Sequence, residues 1–309
     1  MPEVGREREA MRLRAGGNPR FAHYTSADAA LKIIKSKRLW MRNTTAMVDY
    51  SEVSHGYEIL LRVADKERLR KFSEALNLSV PGAADRAIAK FNTLWGNIKS
   101  GTYVTCLSEH KQSEDRHGRL SMWRGFNRSG ARVAMVLRVP EYTTAAAALR
   151  LIFSPVSYLT DGKVADIFDE VIANLIQNAA YLKTADPSHV DELAFIVLAA
   201  AAMCLKHEGF WEELEWRAIY APWRAESPLM KPIADTVDGV PQRIYPLPLD
   251  KAVSPEIAPL DLASVFDRLI IGPMQYGQVV ADAFVDELTK LGIEEAEKKI
   301  FISGIPLRT

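Results

Sequence analysis

The segment Phe210–Tyr220, FWEELEWRAIY, contains three carboxylates, two tryptophans and one arginine. Its residues alternate from Leu214 onward. One predicted face holds Leu214, Trp216, Ala218 and Tyr220, and the other holds Glu213, Glu215, Arg217 and Ile219. Alternation of this kind predicts a β-strand. A strand places Glu213 and Glu215 on the same face, where Arg217 can partner one of them.

Two interpretations of this acidic strand are open. Two carboxylates on one face of a half-buried strand repel each other unless a cation, a metal or a shared proton separates them. Such an arrangement is typical of a functional site. The alternative is a solvated edge strand on which Arg217 forms an ordinary ion pair with a glutamate.

Length and charge limit the other possibilities. A chain of 309 residues forms one large domain or two small ones and can bury a large core. Its 39 basic and 39 acidic residues balance, so no global field attracts nucleic acid or anionic lipid. A local basic patch is still compatible with this balance.

Cysteine usage and hydropathy indicate an intracellular location. Cys106 and Cys204 form no CxxC pair, so neither a cysteine zinc site nor a thiol redox pair is expected. The charged N-terminus lacks an apolar signal segment. The apolar run Ala194–Leu205 has 12 residues and is too short to span a bilayer. We therefore expect a cytoplasmic protein without a membrane partner.

The first regular elements follow a polar, Arg-rich arm over residues 1–20. A β-prone run over 21–25 precedes a helix over 28–35, for which Thr25 or Ser26 can be the cap, and 39–41 predicts a returning strand. His23 therefore lies at the end of a strand and just before a helix N-terminus. Free backbone N–H groups make such a junction suitable for binding. The alternative is that His23 bonds a local carbonyl.

Further patterns complete a predicted α+β domain over residues 21–309. The predicted helices are 54–76, 83–99, 163–183, 187–207 and 276–291. The predicted strands are 102–107, 131–139, 151–159, 242–245, 269–272 and 299–303. The helices at about 54–99 and 163–207 are interpreted as insertions into this domain. His110 and His117 fall in a very polar loop, and we expect both to be solvated.

A weak metal-binding pattern follows the predicted strand 39–41. Asp49, Glu52 and His55 recur at three-residue spacing and would share a helical face. With the acidic pair of the late strand, they allow a metal-dependent nuclease as one alternative. The common nucleotide-binding, hydrolase and zinc-protease motifs are absent from the sequence.

Six motifs in order resemble a known family. They read HYTSADAALKIIKSKRLWM, VDYSE, YVTCLSE, MWRGF followed by ARVAMVL, ELEWR and IIGP. This succession resembles the bacterial domain of unknown function family number 2971 over residues 21–303. One departure is Val48, which stands where the family usually has Asn before an acidic residue.

The same motifs are distantly similar to those of the ADP-ribosyltransferase fold. That resemblance implies a split mixed or antiparallel β-sheet with inserted helical layers, and it implies NAD as co-substrate with no metal. Within it, His23 would bind the adenosine-side ribose, Tyr24 or Trp40 would stack near the nicotinamide, and Thr25 and Arg124 would contact phosphate or ribose. Glu215 would be the catalytic acid.

The implied chemistry is cleavage of the nicotinamide–ribose bond. A carboxylate that faces the developing positive charge stabilises the oxocarbenium-like transition state selectively. Glu213 would orient or deprotonate the acceptor, a protein or a nucleic acid. Such a transferase or NAD glycohydrolase would be a toxin or a phage-defence effector, and its Ala-rich helical pair offers a homo-oligomer surface.

A non-catalytic binding module on the same scaffold is the main alternative to the enzyme. It predicts that Glu215 is tied up by Arg217 or Arg124 and that His23 is packed in the core.

Overall fold

The computed structural model describes residues 10, 19–47, 52–125, 130–140, 143–237 and 239–306. The chain divides into two compact units. A sheet unit contains the described residues of Ala10–Arg42, Tyr103–Phe153 and Glu212–Thr309. A helical unit contains those of Asn43–Thr102 and Ser154–Trp211. The two predicted helical insertions thus lie in a unit of their own.

The described strands form one large sheet and one small sheet. Their bounds are β1 Arg20–Ser26, β2 Arg38–Asn43, β3 Tyr103–Glu109, β4 Arg132–Arg138, β5 Leu151–Pro155, β6 Ser157–Tyr158, β7 Leu205–Lys206, β8 Glu215–Tyr220, β9 Ile233–Val237, β10 Val240–Pro248, β11 Phe266–Ile271 and β12 Ile300–Ile302. The order in the large sheet is β12-β11-β4-β1-β3-β2-β10-β9, and β8 pairs with β3 and β5.

This topology confirms the α+β class with a mixed, mostly antiparallel sheet. The pair β11–β12 is parallel, whereas β1–β4, β3–β8 and β10–β2 are antiparallel. The sequence prediction missed β9 and most of β10, because the proline-rich segment around them has the composition of an extended loop. Prolines at 241, 246 and 248 are nevertheless accommodated in β10.

The described helices are as follows: α1 Ala27–Ser36, α2 Glu52–Val63, α3 Lys66–Asn77, α4 Ala83–Ser100, α5 Leu120–Gly125, α6 Thr143–Leu149, α7 Asp161–Gln177, α8 Ala179–Leu182, α9 Pro187–Cys204, α10 Leu262–Val265 and α11 Gly277–Lys290. Helix α1 shows how sequence sets a boundary. The Ser26 hydroxyl accepts from the Ala29 N–H at 3.1 Å, and Lys37 ends the helix in the left-handed region with φ 50°.

The helical unit differs from the prediction at two breaks, and the predicted helix 163–183 is divided into α7 and α8 at Asn178. The predicted helix 54–76 is two helices, because Asp65 caps α3 by accepting from the Arg68 N–H at 2.8 Å. Helix α9 packs against α2 and α4. A Cβ at Gly56 would lie 2.3 Å from the Ala202 carbonyl oxygen, so glycine at this position permits the close contact of α2 with α9.

Helix α9 is also long and apolar enough to cross a membrane, and 50% of its apolar window is buried inside the protein. The core helix of a soluble protein passes the same criterion, so this finding alone assigns no location.

The sheet unit has a distinct apolar cluster on each face of β1. Phe21, Leu107 and Trp216 belong to the larger cluster. Ala22 and Tyr24 belong to the smaller one, together with Met122 and Trp123 of α5. Successive residues of β1 therefore point to opposite faces of the sheet, as the geometry of a strand requires.

Candidate functional site

The acidic segment forms a buried strand that begins later than predicted. Strand β8 starts at Glu215, and all six of its residues are buried. The preceding residues Glu208–Glu213 form a 3₁₀ helix, and Leu214 has φ 45°. Glu213 is therefore not in the strand, and the predicted shared strand face of Glu213 and Glu215 is wrong. The solvated edge-strand alternative is also wrong, since β8 pairs with β3 and β5.

Glu215 forms a forked ion pair with Arg217. Arg217 Nε donates to Glu215 Oε1 at 2.8 Å, and its Nη2 donates to Oε2 at 3.3 Å. The side chains are only 6% and 3% exposed, respectively. Two parallel charge-assisted bonds of this kind fix both groups. The carboxylate is thus held by its own strand, two residues away.

Two polar residues of β3 lie directly across from this pair. Cys106 is the register partner of Arg217, and Ser108 is the partner of Glu215. Ser108 is buried, with its hydroxyl 3.9 Å from the sulfur of Met122, and Cys106 is partly exposed. A thiol, a hydroxyl, a carboxylate and a guanidinium therefore share one face of two neighbouring strands.

His23 lies on the other face of the sheet. Ala22 pairs with Ser108, which in turn pairs with Glu215, so these three residues share a face. Strand β1 keeps an unbroken register with β4, in which His23 pairs with Met135 of the larger core cluster. His23 must then point away from the Glu215 side. The expected convergence of its imidazole with the Glu215 carboxylate is not present in this structure.

The imidazole of His23 lies where β1 and β3 separate. The two strands pair only at Phe21↔Glu109 and Ala22↔Ser108. Just beyond, His23 Nδ1 is 3.0 Å from the Cys106 carbonyl oxygen, which can only accept, so Nδ1 carries the proton. Burial lowers the pKa of His23 despite this bond. The ring is therefore neutral near pH 7, and Nε2 retains an acceptor lone pair.

Tyr24 and Thr25 also point to opposite faces of the sheet. The Tyr24 hydroxyl accepts from the Arg119 N–H at 2.8 Å, and its ring packs edge-on against Trp123 at 4.9 Å. Burial raises the pKa of Tyr24 to about 12. Thr25 pairs with Val133 and shares the His23 face. Tyr24 is thus a packed residue on the side of Glu215.

Trp40 and Arg124 lie on two other elements, β2 and α5. Trp40 is partly buried in β2, opposite Pro246, with Lys32 Nζ 5.9 Å from its ring centroid. Arg124 is exposed on the last turn of α5. Within the described residues, neither side chain makes a hydrogen bond or ion pair with His23 or Glu215. A cofactor-binding role for Trp40 and Arg124 therefore stays a prediction.

Arg119 is a structural anchor that the sequence analysis missed. Its Nη1 donates to the carbonyls of Glu212 and Glu213 at 2.9 and 2.8 Å, and its Nη2 donates to the Glu109 carbonyl at 2.6 Å. Glu114 accepts from its Nε at 2.7 Å. One guanidinium thereby joins the end of β3 to the residues before β8. Arg119 lies in a polar loop, where sequence alone gives no sign of burial.

The prediction that His110 is solvated is wrong. Its side chain is fully buried, and Nε2 lies 2.9 Å from Asp115 Oδ1. Burial lowers the pKa of His110, although the hydrogen bond that the ring donates to the Asp115 carboxylate opposes that shift. Asp115 also pairs with Arg20 at 2.8 Å and Arg268 at 3.2 Å, so these residues form an internal charged network.

The predicted metal ligands are only partly described. Val48, Asp49 and the side chain of Glu52 lie outside the described residues, and the His55 ring is 6.0 Å from that of His207. Among the described residues, no group of three metal-ligating side chains is present.

Comparisons with known proteins return no match for this chain among protein-family models, curated proteins or solved structures. The two resemblances drawn from the sequence motifs therefore stay predictions.

Proposed function

We propose that this protein is a binding module in which the Glu215–Arg217 pair has a structural role. The observation that supports this proposal is the forked pairing of a 6% exposed carboxylate with a 3% exposed guanidinium. A catalytic carboxylate has to reach a ribose hydroxyl and face its developing charge. Both carboxylate oxygens of Glu215 instead accept hydrogen bonds from Arg217, and His23 points to the opposite face of the sheet.

The physical cost of freeing Glu215 supports the same conclusion. Releasing the carboxylate breaks its forked contact with the buried Arg217 guanidinium, and removing one member of a buried ion pair costs about 3–5 kcal/mol in comparable cases. Substrate binding would have to supply that energy before any chemistry began. A structural role incurs no such cost.

The test combines nicotinamide release with folding. Purified protein is incubated with NAD, with and without protein and nucleic-acid acceptors, and nicotinamide is quantified by chromatography. The binding module predicts no release, and it predicts that Glu215→Gln lowers the melting temperature because the ion pair is weakened. Nicotinamide release by the parent protein would overturn the proposal, whether or not the release disappears in a fully folded Glu215→Gln variant.

A second candidate is an NAD-dependent ADP-ribosyltransferase-like enzyme or NAD glycohydrolase. The observation that favours it is His23, a partly exposed, neutral imidazole where two strands separate, just before the capped helix α1. Its Nε2 can accept a hydrogen bond from a ribose hydroxyl. In this candidate the resemblance makes Glu215 the acid and Glu213, which lies outside the strand and is only half-buried, the residue that orients or deprotonates the acceptor.

Thermal shift with NAD separates the two candidates further. The NAD-using candidate predicts that NAD raises the melting temperature and that His23→Ala removes the increase. A control outside the predicted cofactor-binding residues is Gln242→Ala, which changes a residue of similar exposure on β10 of the same unit. No shift with NAD in the parent protein counts against this candidate and leaves the binding-module proposal standing.

A further inference from the structure

A groove lies between helix α11 and the edge strand β12, remote in strand order from the Glu215–Arg217 pair. Its volume is about 430 Å³, which is in the range of ligand and peptide sites. Ile300 and Ile302, two residues apart on β12, line one side, and Val285 of α11 lines the other. Ile302 is 41% exposed, so apolar surface in this groove is in contact with water.

Carboxylates surround the apolar part. Asp282, Asp286 and Glu297 line the groove, all three are exposed, and no lysine or arginine lines it. Asp282 accepts a hydrogen bond from Gln278 at 2.8 Å. Asp286 and Glu297 have no ion-pair partner among the described residues. The groove therefore combines apolar contact with a rim of three carboxylates, which is complementary to a segment that presents both apolar and basic side chains to this face of the sheet.

The exposed backbone of β12 is the third feature of this groove, after its apolar lining and its carboxylates. β12 is the last strand of its sheet, and no other described strand pairs with its outer side. The Ser303 N–H donates inward to the Ile271 carbonyl at 2.8 Å. Since N–H groups alternate in direction along a strand, the Ile302 N–H points outward. An exposed edge of this kind is a template for an added strand.

We propose that this groove binds an extended segment of a partner protein. Every second residue of the segment faces α11, and these facing residues are by turns valine- or isoleucine-like and lysine or arginine. The segment adds a strand to β12, its apolar side chains fill the space beside Val285 and Ile302, and its cations meet Asp282, Asp286 and Glu297. Main-chain bonds supply affinity and side-chain pockets supply specificity in this mode of recognition. The proposal does not depend on whether the chain uses NAD.

The test is fluorescence anisotropy with the full chain and two labelled peptides of about eight residues, a usual strand length. At every second position one peptide carries valine and lysine by turns and the other carries valine and glutamate by turns, and threonine fills the positions between. We expect saturable binding of the lysine peptide, weakened at about 1 M salt because screening then acts within about 3 Å. Equal binding of both peptides, or no binding of the lysine peptide at about 1 mM, overturns the proposal.

Two sets of variants locate the site. Asp282→Asn/Asp286→Asn/Glu297→Gln is expected to weaken binding of the lysine peptide about tenfold or more. The matched control, Glu58→Gln/Asp85→Asn/Asp166→Asn, removes three exposed carboxylates from the helical unit and should leave binding unchanged. If both triple variants bind alike, the attraction is a property of net charge and the groove proposal fails.

Substitutions at Ile302 test whether the partner segment pairs with the β12 backbone. Ile302→Ala keeps the outward N–H, whereas Ile302→Pro removes it, and proline is tolerated on edge strands. We expect the proline variant to bind the lysine peptide more weakly than the alanine variant. Sedimentation of the parent protein and of Ile302→Pro addresses self-pairing: a dimer that only the proline variant loses would show that a second copy occupies the edge, which overturns the partner-segment proposal.

Discussion

The two units of this protein use charge in opposite ways. In the helical unit, ion pairs join neighbouring helices at the surface: Arg62 bonds Asp161 and Arg68 bonds Asp169, with each side chain 28% to 51% exposed. In the sheet unit, Glu215 and Arg217 are almost fully buried, and Asp267 is 6% exposed.

Asp267 shows the contrast most clearly, because it is contacted by Arg20, Arg138 and Arg268. Burial by itself would raise the pKa of Asp267, but the hydrogen bonds from Arg268 and Arg138 outweigh it and lower that pKa.

This difference predicts where substitutions matter. Water screens an exposed pair, and the side-chain entropy lost on pairing offsets most of its attraction. A buried pair contributes little net stability, but removing one partner leaves an uncompensated charge in the interior. The sheet unit should therefore be sensitive to single charge changes, and the helical unit should tolerate them.

The largest effect is expected for Glu215→Ala. The variant leaves the Arg217 guanidinium buried without this carboxylate, so the free energy of unfolding should fall by about 3–5 kcal/mol. Urea denaturation monitored by tryptophan fluorescence measures it. The double variant Glu215→Leu/Arg217→Met should recover most of the loss, because no charge is then stranded. A double variant no more stable than Glu215→Ala contradicts this explanation.

The next effect concerns the Arg119 guanidinium. Arg119→Met keeps the apolar stem and removes donors to Glu212, Glu213 and Glu109, so we expect a loss of about 2–3 kcal/mol. The measurement is again urea denaturation. Arg138→Met, which removes a half-exposed guanidinium from the same unit, is the comparison and should cost clearly less. Equal losses of stability would mean that the hydrogen bonds of Arg119 to the residues before β8 have no special role.

A smaller effect is expected at Leu214, which holds φ 45° between Glu213 and Glu215. A side chain in the left-handed region costs about 1–2 kcal/mol relative to glycine. Leu214→Gly should therefore be more stable than Leu214→Ala by about 1 kcal/mol, since both lose the same apolar contacts. Thermal unfolding of the two variants measures the difference. Greater stability of the alanine variant would contradict the strained backbone.

The pH dependence of stability tests His23. Burial lowers its folded pKa, so below the unfolded value of about 6.5 the unfolded chain binds a proton that the folded chain does not. Stability should then fall with decreasing pH, by up to about 1.4 kcal/mol per pH unit for each such histidine, until the folded pKa is reached. His110, whose pKa is also lowered by burial, adds to this slope.

His23→Asn keeps a donor for the Cys106 carbonyl and removes the titration. Its stability, measured by urea denaturation between about pH 5 and 7, should change less with pH than that of the parent protein. The control substitution is His189→Asn, which changes an exposed histidine of the helical unit. An unchanged slope in His23→Asn shows that His23 does not contribute.

The smallest effect is expected for the exposed pair Arg62–Asp161. Arg62→Gln and Asp161→Asn should each leave the unfolding midpoint within experimental error, because both side chains are about half exposed. Differential scanning fluorimetry at low and high salt measures it. A loss comparable to that of Glu215→Ala would remove the contrast between the two units.

Local sequence determined the elements of this protein and some of their ends. The strand–helix–strand unit at 20–43, the Ser26 cap, the break before Pro187 and the late amphipathic helix all follow from periodicity, capping residues and turn residues within a few positions. The α+β class followed from the same patterns.

Tertiary structure alone decided which side chains meet. Register with β3 and β4 put His23 and Glu215 on opposite faces, and the 3₁₀ turn with Leu214 removed Glu213 from the strand. The polar residues His110 and Arg119 became buried because distant carboxylates and carbonyls satisfy them. The physical reason is that backbone preferences act between near neighbours, whereas burial and charge pairing depend on residues far apart in the chain.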